Sequence, residues 1–97
     1  METYVILRRN GWPTGPDLEA AVERSTTEGD RVPDDIRWIR SYVLAERDGT
    51  VGTVCVYQAS SPEAIRAHAA NADLPVDEIV GVSGTVIVRP DPEPVAV

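Results

Sequence analysis

The sequence predicts an α+β domain of the ferredoxin-like kind, with elements in the order βαββαβ. Three observations carry this: an Asp48-Gly49 turn between two apolar runs, a proline-started helical period on each side of that hairpin, and β-branched runs near both ends. Two right-handed crossovers then place both helices on one face of a four-stranded antiparallel sheet.

Thr3 to Arg9 mixes β-branched and aromatic residues and stops at Asn10-Gly11, so it reads as the first strand. From Pro13 to Gly29 the period becomes helical. Pro16 suits a first turn, Asp17 and Glu19 favour its positive end, and Leu18, Ala21, Val22 and Ser25 recur on one face. That stripe is thin, so the helix depends on docking against a sheet. A polar connection from Asp30 to Asp35 leads to the second strand, Ile36 to Glu46, and the turn returns the chain through Val51 to Ala59. Ser60-Ser61-Pro62-Glu63 supplies a cap, a first-turn proline and an acid, which start a helix running to about Ala72. After Leu74-Pro75, the β-branched run Glu78 to Val88, interrupted at Ser83-Gly84, reads as the last strand. Residues 90–97 have no apolar pattern to bury and read as a disordered tail, leaving residues 1–89 as a single domain.

Strict alternation through the hairpin puts Ile39, Ser41, Val43, Val54 and Val56 toward the helices. It puts Trp38, Arg40, Tyr42, Leu44, Cys55 and Tyr57 on the opposite face. Both sets contain apolar groups, whereas two helices cover one side only. The second side needs a partner, and a homodimer is the simplest way to supply one. Trp38, Tyr42 and Tyr57 would then line a small-ligand pocket on that face, with rings for area and hydroxyls for orientation.

Composition removes several functions. Sixteen acids against nine basic residues give a net charge of -7, which repels a phosphate backbone, so nucleic acid is no partner. Every basic residue is arginine, so no lysine can form a Schiff base. The arginines are scattered and form no phosphate site. A lone cysteine, Cys55, allows no internal disulfide and suits a reducing cytoplasm. The amino-terminal residues resemble neither a signal peptide nor a membrane span, so no membrane association is expected.

Chemistry rests on few residues. His68, the sole histidine, lies beside the packing stripe of the second helix, either bonded to a neighbour such as Ser41 or acting as a metal ligand or base. Cys55 sits between valines, the place of a small buried hydrophobe, and the alternation sets it across the sheet from His68. Glu63 is a first-turn acid five positions from His68, which is not one helix face. No catalytic residue is assigned.

The blocks Ile36 to Val43, Cys55 to Ala59, Ser61 to Ala69 and Leu74 to Ile79 resemble a family of small bacterial ferredoxin-like domains of unknown function, described as nickel-binding or nickel-responsive. The similarity spans about Tyr4 to Val82. It implies a ferredoxin-like fold, a homodimer and, in some members, a bound transition metal; the ligands this chain could offer to nickel are His68, Glu63 and Cys55. The expectation is therefore a small dimeric protein binding nickel or another metal ion. The alternative is a dimeric α/β-barrel-type enzyme or binding protein holding a small organic ligand on the open sheet face.

Overall fold

In the central hairpin, Gly49 adopts φ +86°, and Asp48 accepts from both the amide and the hydroxyl of Thr50. The Thr50 hydroxyl and amide hold the Asp48 carboxyl below its ordinary value of 3.8. This turn joins two of the elements of a computed structural model that describes residues 1–96. The order is β1 (Glu2–Trp12), α1 (Gly15–Asp30), β2 (Ile36–Ala45), β3 (Val51–Ala59), α2 (Pro62–Ala72) and β4 (Glu78–Gly81). The strands form one sheet in the order β2-β3-β1-β4, every neighbouring pair antiparallel. The ferredoxin-like arrangement expected from the sequence is what the chain adopts.

Both helices begin as their sequences require. Thr14 and Ser61 are extended N-caps whose hydroxyls accept from the amides of Asp17 and Ala64, and each is followed by an early proline. Tyr57 on β3 meets Ser25 of α1 and His68 of α2, so both helices cover one side of the sheet. They are tied to each other where Arg24 donates to the carbonyls of Ala72 and Asp73. No helix among the described residues is long and apolar enough to cross a membrane.

Three details depart from the sequence reading. First, β1 does not stop at Arg9; Asn10 takes φ 50°, absorbs an irregularity between Arg8 and Trp12, and lets the strand resume against Val51. Gly52 lies against that kink: a Cβ there would stand 2.7 Å from the Arg8 carbonyl oxygen and 2.9 Å from Glu46 Oε1. Second, β4 ends at Gly81 rather than Val88, because Val82 makes the last bond, to Thr3, and β1 then runs out. Val86, Ile87 and Val88 are exposed despite their β-branched composition, which does not hold a strand without a neighbour. Third, residues 90–96 have no regular secondary structure, yet the Asp91 carboxylate accepts from Arg40 and from the Tyr42 hydroxyl on β2. Residue 97 of the expected tail lies outside the described residues.

The face assignment of the hairpin is corrected in two ways. The buried, helix-facing residues of β3 are Thr53, Cys55, Tyr57 and Ala59, so Val54 and Val56 point to the open side. In β2 the register shifts between Trp38 and Arg40: Trp38 pairs with Tyr57, Ser41 with Cys55 and Val43 with Thr53. Ser41 and Val43 face the helices and Arg40 and Tyr42 the open side, as the alternation expects, whereas Trp38 moves to the helix side and Val54 and Val56 to the open one. One extra residue in β2 inverts the parity of everything beyond it.

Candidate functional site

Tyr4, Ile6 and Arg8 alternate along β1 toward the helices, and all three are buried. The first two belong in a core. Arg8 is 1% exposed and sits directly across from Thr53 of β3, which in turn pairs with Val43 of β2. These three strands form the floor of a cavity of about 60 Å³, roofed by Leu18, Ala21 and Ser25 of α1. Its rim includes Val22 and Val43, both partly exposed, so it lies beside the edge strand β2.

The lining is apolar except for a few groups whose hydrogen bonds can be followed one by one. Arg8 Nη1 donates to the Pro75 carbonyl, whereas Nη2 is enclosed and has no partner among the described residues. Among the described residues no carboxylate pairs with Arg8; the ion pairs there are Arg9–Glu46, Arg31–Glu28 and Arg40–Asp91. Ser41 Oγ accepts from Trp38 Nε1 at 2.8 Å, and Thr53 Oγ1 accepts from the Cys55 thiol at 3.3 Å. Each of these hydroxyls keeps its own proton available for donation. Ser25 Oγ and the Tyr57 hydroxyl lie 3.2 Å apart. Burial pushes the Tyr57 phenol above its usual 10.0, partly offset by the Ser25 hydrogen bond and by the nearby Arg8 charge, so it stays neutral.

The residues proposed from sequence divide between the two sides of the sheet. Trp38 and Tyr57 stack, with ring centroids 6.1 Å apart, and both line this cavity. Tyr42 is on the open face, bonded to Asp91, and is not part of it. Cys55 lines the cavity and lies on the same side as His68, not across the sheet from it. His68 is buried, its Nε2 3.0 Å from the Ser25 carbonyl, so that nitrogen carries the proton; Nδ1 is enclosed and unpartnered. The expected Ser41 partner is replaced by Ser25, and Ser41 serves Trp38 instead. Glu63 is exposed in the first turn of α2. Among the described residues no three His, Cys, Asp or Glu side chains gather closely enough to hold a metal ion. His68, Glu63 and Cys55 thus do not form the donor set that nickel requires within one chain.

Arg8 is the residue the sequence reading passed over. Its signal was parity: a charge at the third helix-facing position of a strand whose other two positions are Tyr4 and Ile6.

The comparisons with known proteins agree with the architecture. The family model described as nickel responsive protein SCO4226-like matches residues 4–82. The crystal structure of SCO4226 from Streptomyces coelicolor A3(2) superposes with a TM-score of 0.67 at 17% identity, covering 87% of this chain and 99% of that one. No curated protein matches significantly.

Proposed function

The chain belongs to the SCO4226-like family of nickel-responsive proteins, and we propose that it works as a binding protein for a small organic molecule held between α1 and the sheet. The observation that carries this is the cavity itself, apolar-walled and opening beside β2, with the Trp38 and Tyr57 rings on its floor and Leu18 and Ala21 above it. Binding is favoured over turnover because the one imidazole is committed to a backbone carbonyl and activates neither the Ser25 hydroxyl nor the Cys55 thiol. Nickel is not the ligand of this cavity on chemical grounds: its conspicuous charge is a guanidinium, which repels a cation.

A second copy of the chain is the proposed cover for the open face. Val5, Leu7, Val54 and Val56 share that side, with Val80 exposed beside them, and both helices are on the other. Light scattering on a sizing column should give twice the chain mass; a single-chain mass would remove this part of the proposal. For the ligand, NMR titration with small neutral and charged organics should shift the amides of Thr53 and Cys55, and nickel chloride should not. Nickel-dependent shifts centred on His68 with silent cavity amides would overturn the reading.

A further inference from the structure

Building on the reading that a second copy covers the open face, we infer that the chain beyond β4 is an arm of that contact, with Val86, Ile87 and Val88 of each copy packing on the other. The family match ends at residue 82. Residues 83–96 therefore lie outside the matched domain, yet they are tied back to its open side.

The path of the arm is fixed at two points. Val82 donates to the Thr3 carbonyl beside β4, at one edge of the sheet. Asp91 accepts from Arg40 and, at 2.7 Å, from the Tyr42 hydroxyl, on the open side of β2 at the other edge. Three strand spacings, about 14 Å, separate those edges, whereas the chain from Val82 to Asp91 can reach about 30 Å. The arm thus runs from edge to edge with slack in its middle.

That slack middle holds the apolar residues. Val86, Ile87 and Val88 are 90%, 80% and 77% exposed, so they do not pack on their own sheet. Single apolar residues at a surface need no explanation, but three in succession, held between two anchors on an apolar face, extend that face into a larger patch. The face itself presents Val5, Leu7, Val54, Val56 and Val80. A copy approaching it meets the arm as well as the sheet.

Charge points to the same occupant. Arg40 stands on the open side across from Val56, and Asp91 neutralises it within the chain. The core of a protein contact is depleted in charge, and a buried charge without a partner is costly. The latch therefore readies this part of the face for an apolar partner. A second copy is such a partner, and twofold symmetry gives each arm the same apolar face to meet.

The test measures dimer dissociation by analytical ultracentrifugation for the full chain, as wild type, Ile87→Asp and Val95→Asp. Val95 is also 90% exposed but lies past the latch, so the two variants add the same charge to exposed positions of one segment. Ile87→Asp should weaken the dimer by about tenfold or more, one buried aliphatic side chain being lost on each copy. Val95→Asp should leave it unchanged. In mixed dimers of labelled and unlabelled chains, isotope-filtered NOEs should join the Ile87 methyls of one copy to Val54, Val56 or Val80 of the other. A dimer indifferent to Ile87→Asp, or tightened by it, would overturn the arm and leave the dimer standing. Equal weakening by both variants, or Ile87 NOEs confined to its own chain, would do the same. A wild-type monomer would overturn both.

Discussion

Arg8 and Arg9 are consecutive in β1 and have opposite surroundings. Arg9 faces solvent, its Nε 2.8 Å from Glu46 Oε1 and its Nη2 donating to the same carboxylate. That bidentate pair raises the Arg9 pKa, first through the hydrogen bond to Glu46 and then through its charge. Arg8, one residue earlier, is turned inward beneath α1, donating to the Pro75 carbonyl with the Tyr57 phenol nearby. The exposed arginine has the carboxylate and the buried one has none, the reverse of what stability alone favours.

The widest contrast between the two sides is between tyrosines. Tyr57 is 1% exposed and packs on Trp38 and His68, so Tyr57→Ala should cost about 3–5 kcal/mol in urea unfolding. Tyr42, at 46% exposed on the open side, should cost about 0.5 kcal/mol when replaced by alanine. Comparable losses at both positions would place Tyr42 inside the proposed contact with a second copy and not at its rim. The next contrast is between the arginines. Arg8→Met should leave ligand-free protein as stable as wild type or more so, by roughly 1–4 kcal/mol less the loss at the Pro75 carbonyl. Arg9→Met should weaken the protein slightly and more at low salt than at high. A strongly destabilised Arg8→Met protein would make that guanidinium a strut for the Pro75 connection.

Much of this architecture is legible in the sequence because its signals are local. Asp48-Gly49 specifies a turn, Thr14 with Pro16 and Ser61 with Pro62 specify helix starts, and these suffice to order the elements. The candidate site was less legible, because it depends on parity across strands. The register shift after Trp38 adds one residue to β2, and nothing in Trp38-Ile39-Arg40 announces it. Without it Trp38 and Tyr42 fall on one face; with it Trp38 joins Tyr57 under the helices and Tyr42 does not. Cys55 is buried, but on the helix side, because β3 pairs with β2 so that Ser41 faces Cys55 and Val43 faces Thr53, a register that alternation within each strand does not supply. Arg8 went unread because arginines are usually at the surface and its neighbour Arg9 is. The end of β4 was invisible for another reason: Val86, Ile87 and Val88 have strand composition, but the length of β1 decides how much of the run finds a partner.

A backbone contrast of intermediate size lies between the two glycines of the hairpin. Gly49 has open space around a Cβ but a φ of +86°, whereas Gly52 lies where a Cβ would meet the Arg8 carbonyl oxygen at 2.7 Å. Gly52→Ala must therefore push β3 away from the kink that positions Arg8, at a cost of about 1–3 kcal/mol. It should also displace the Thr53 and Arg8 resonances, which Gly49→Ala, strained only in its own turn, should not. Matching effects from the two substitutions would detach the kink from the cavity.

The smallest expected effect separates the two sides by pH. Burial raises the Tyr57 phenol above 10.0, its Ser25 hydrogen bond and Arg8 pulling partly the other way. In the unfolded chain that phenol loses its proton near 10 while in the folded chain it holds on, so the native state carries more protons through that interval. Stability then falls as pH rises from 10 toward the folded value, by at most about 1.4 kcal/mol per pH unit from this group. Below pH 10 the contribution is fully present. Tyr57→Phe should remove that part of the alkaline slope, at a cost of about 1 kcal/mol at neutral pH for the lost contact with Ser25. The Tyr42→Phe protein should keep the wild-type slope. If Tyr57→Phe keeps it too, water reaches the phenol and the helix side of the sheet is less dry there than the burial of Tyr57 implies.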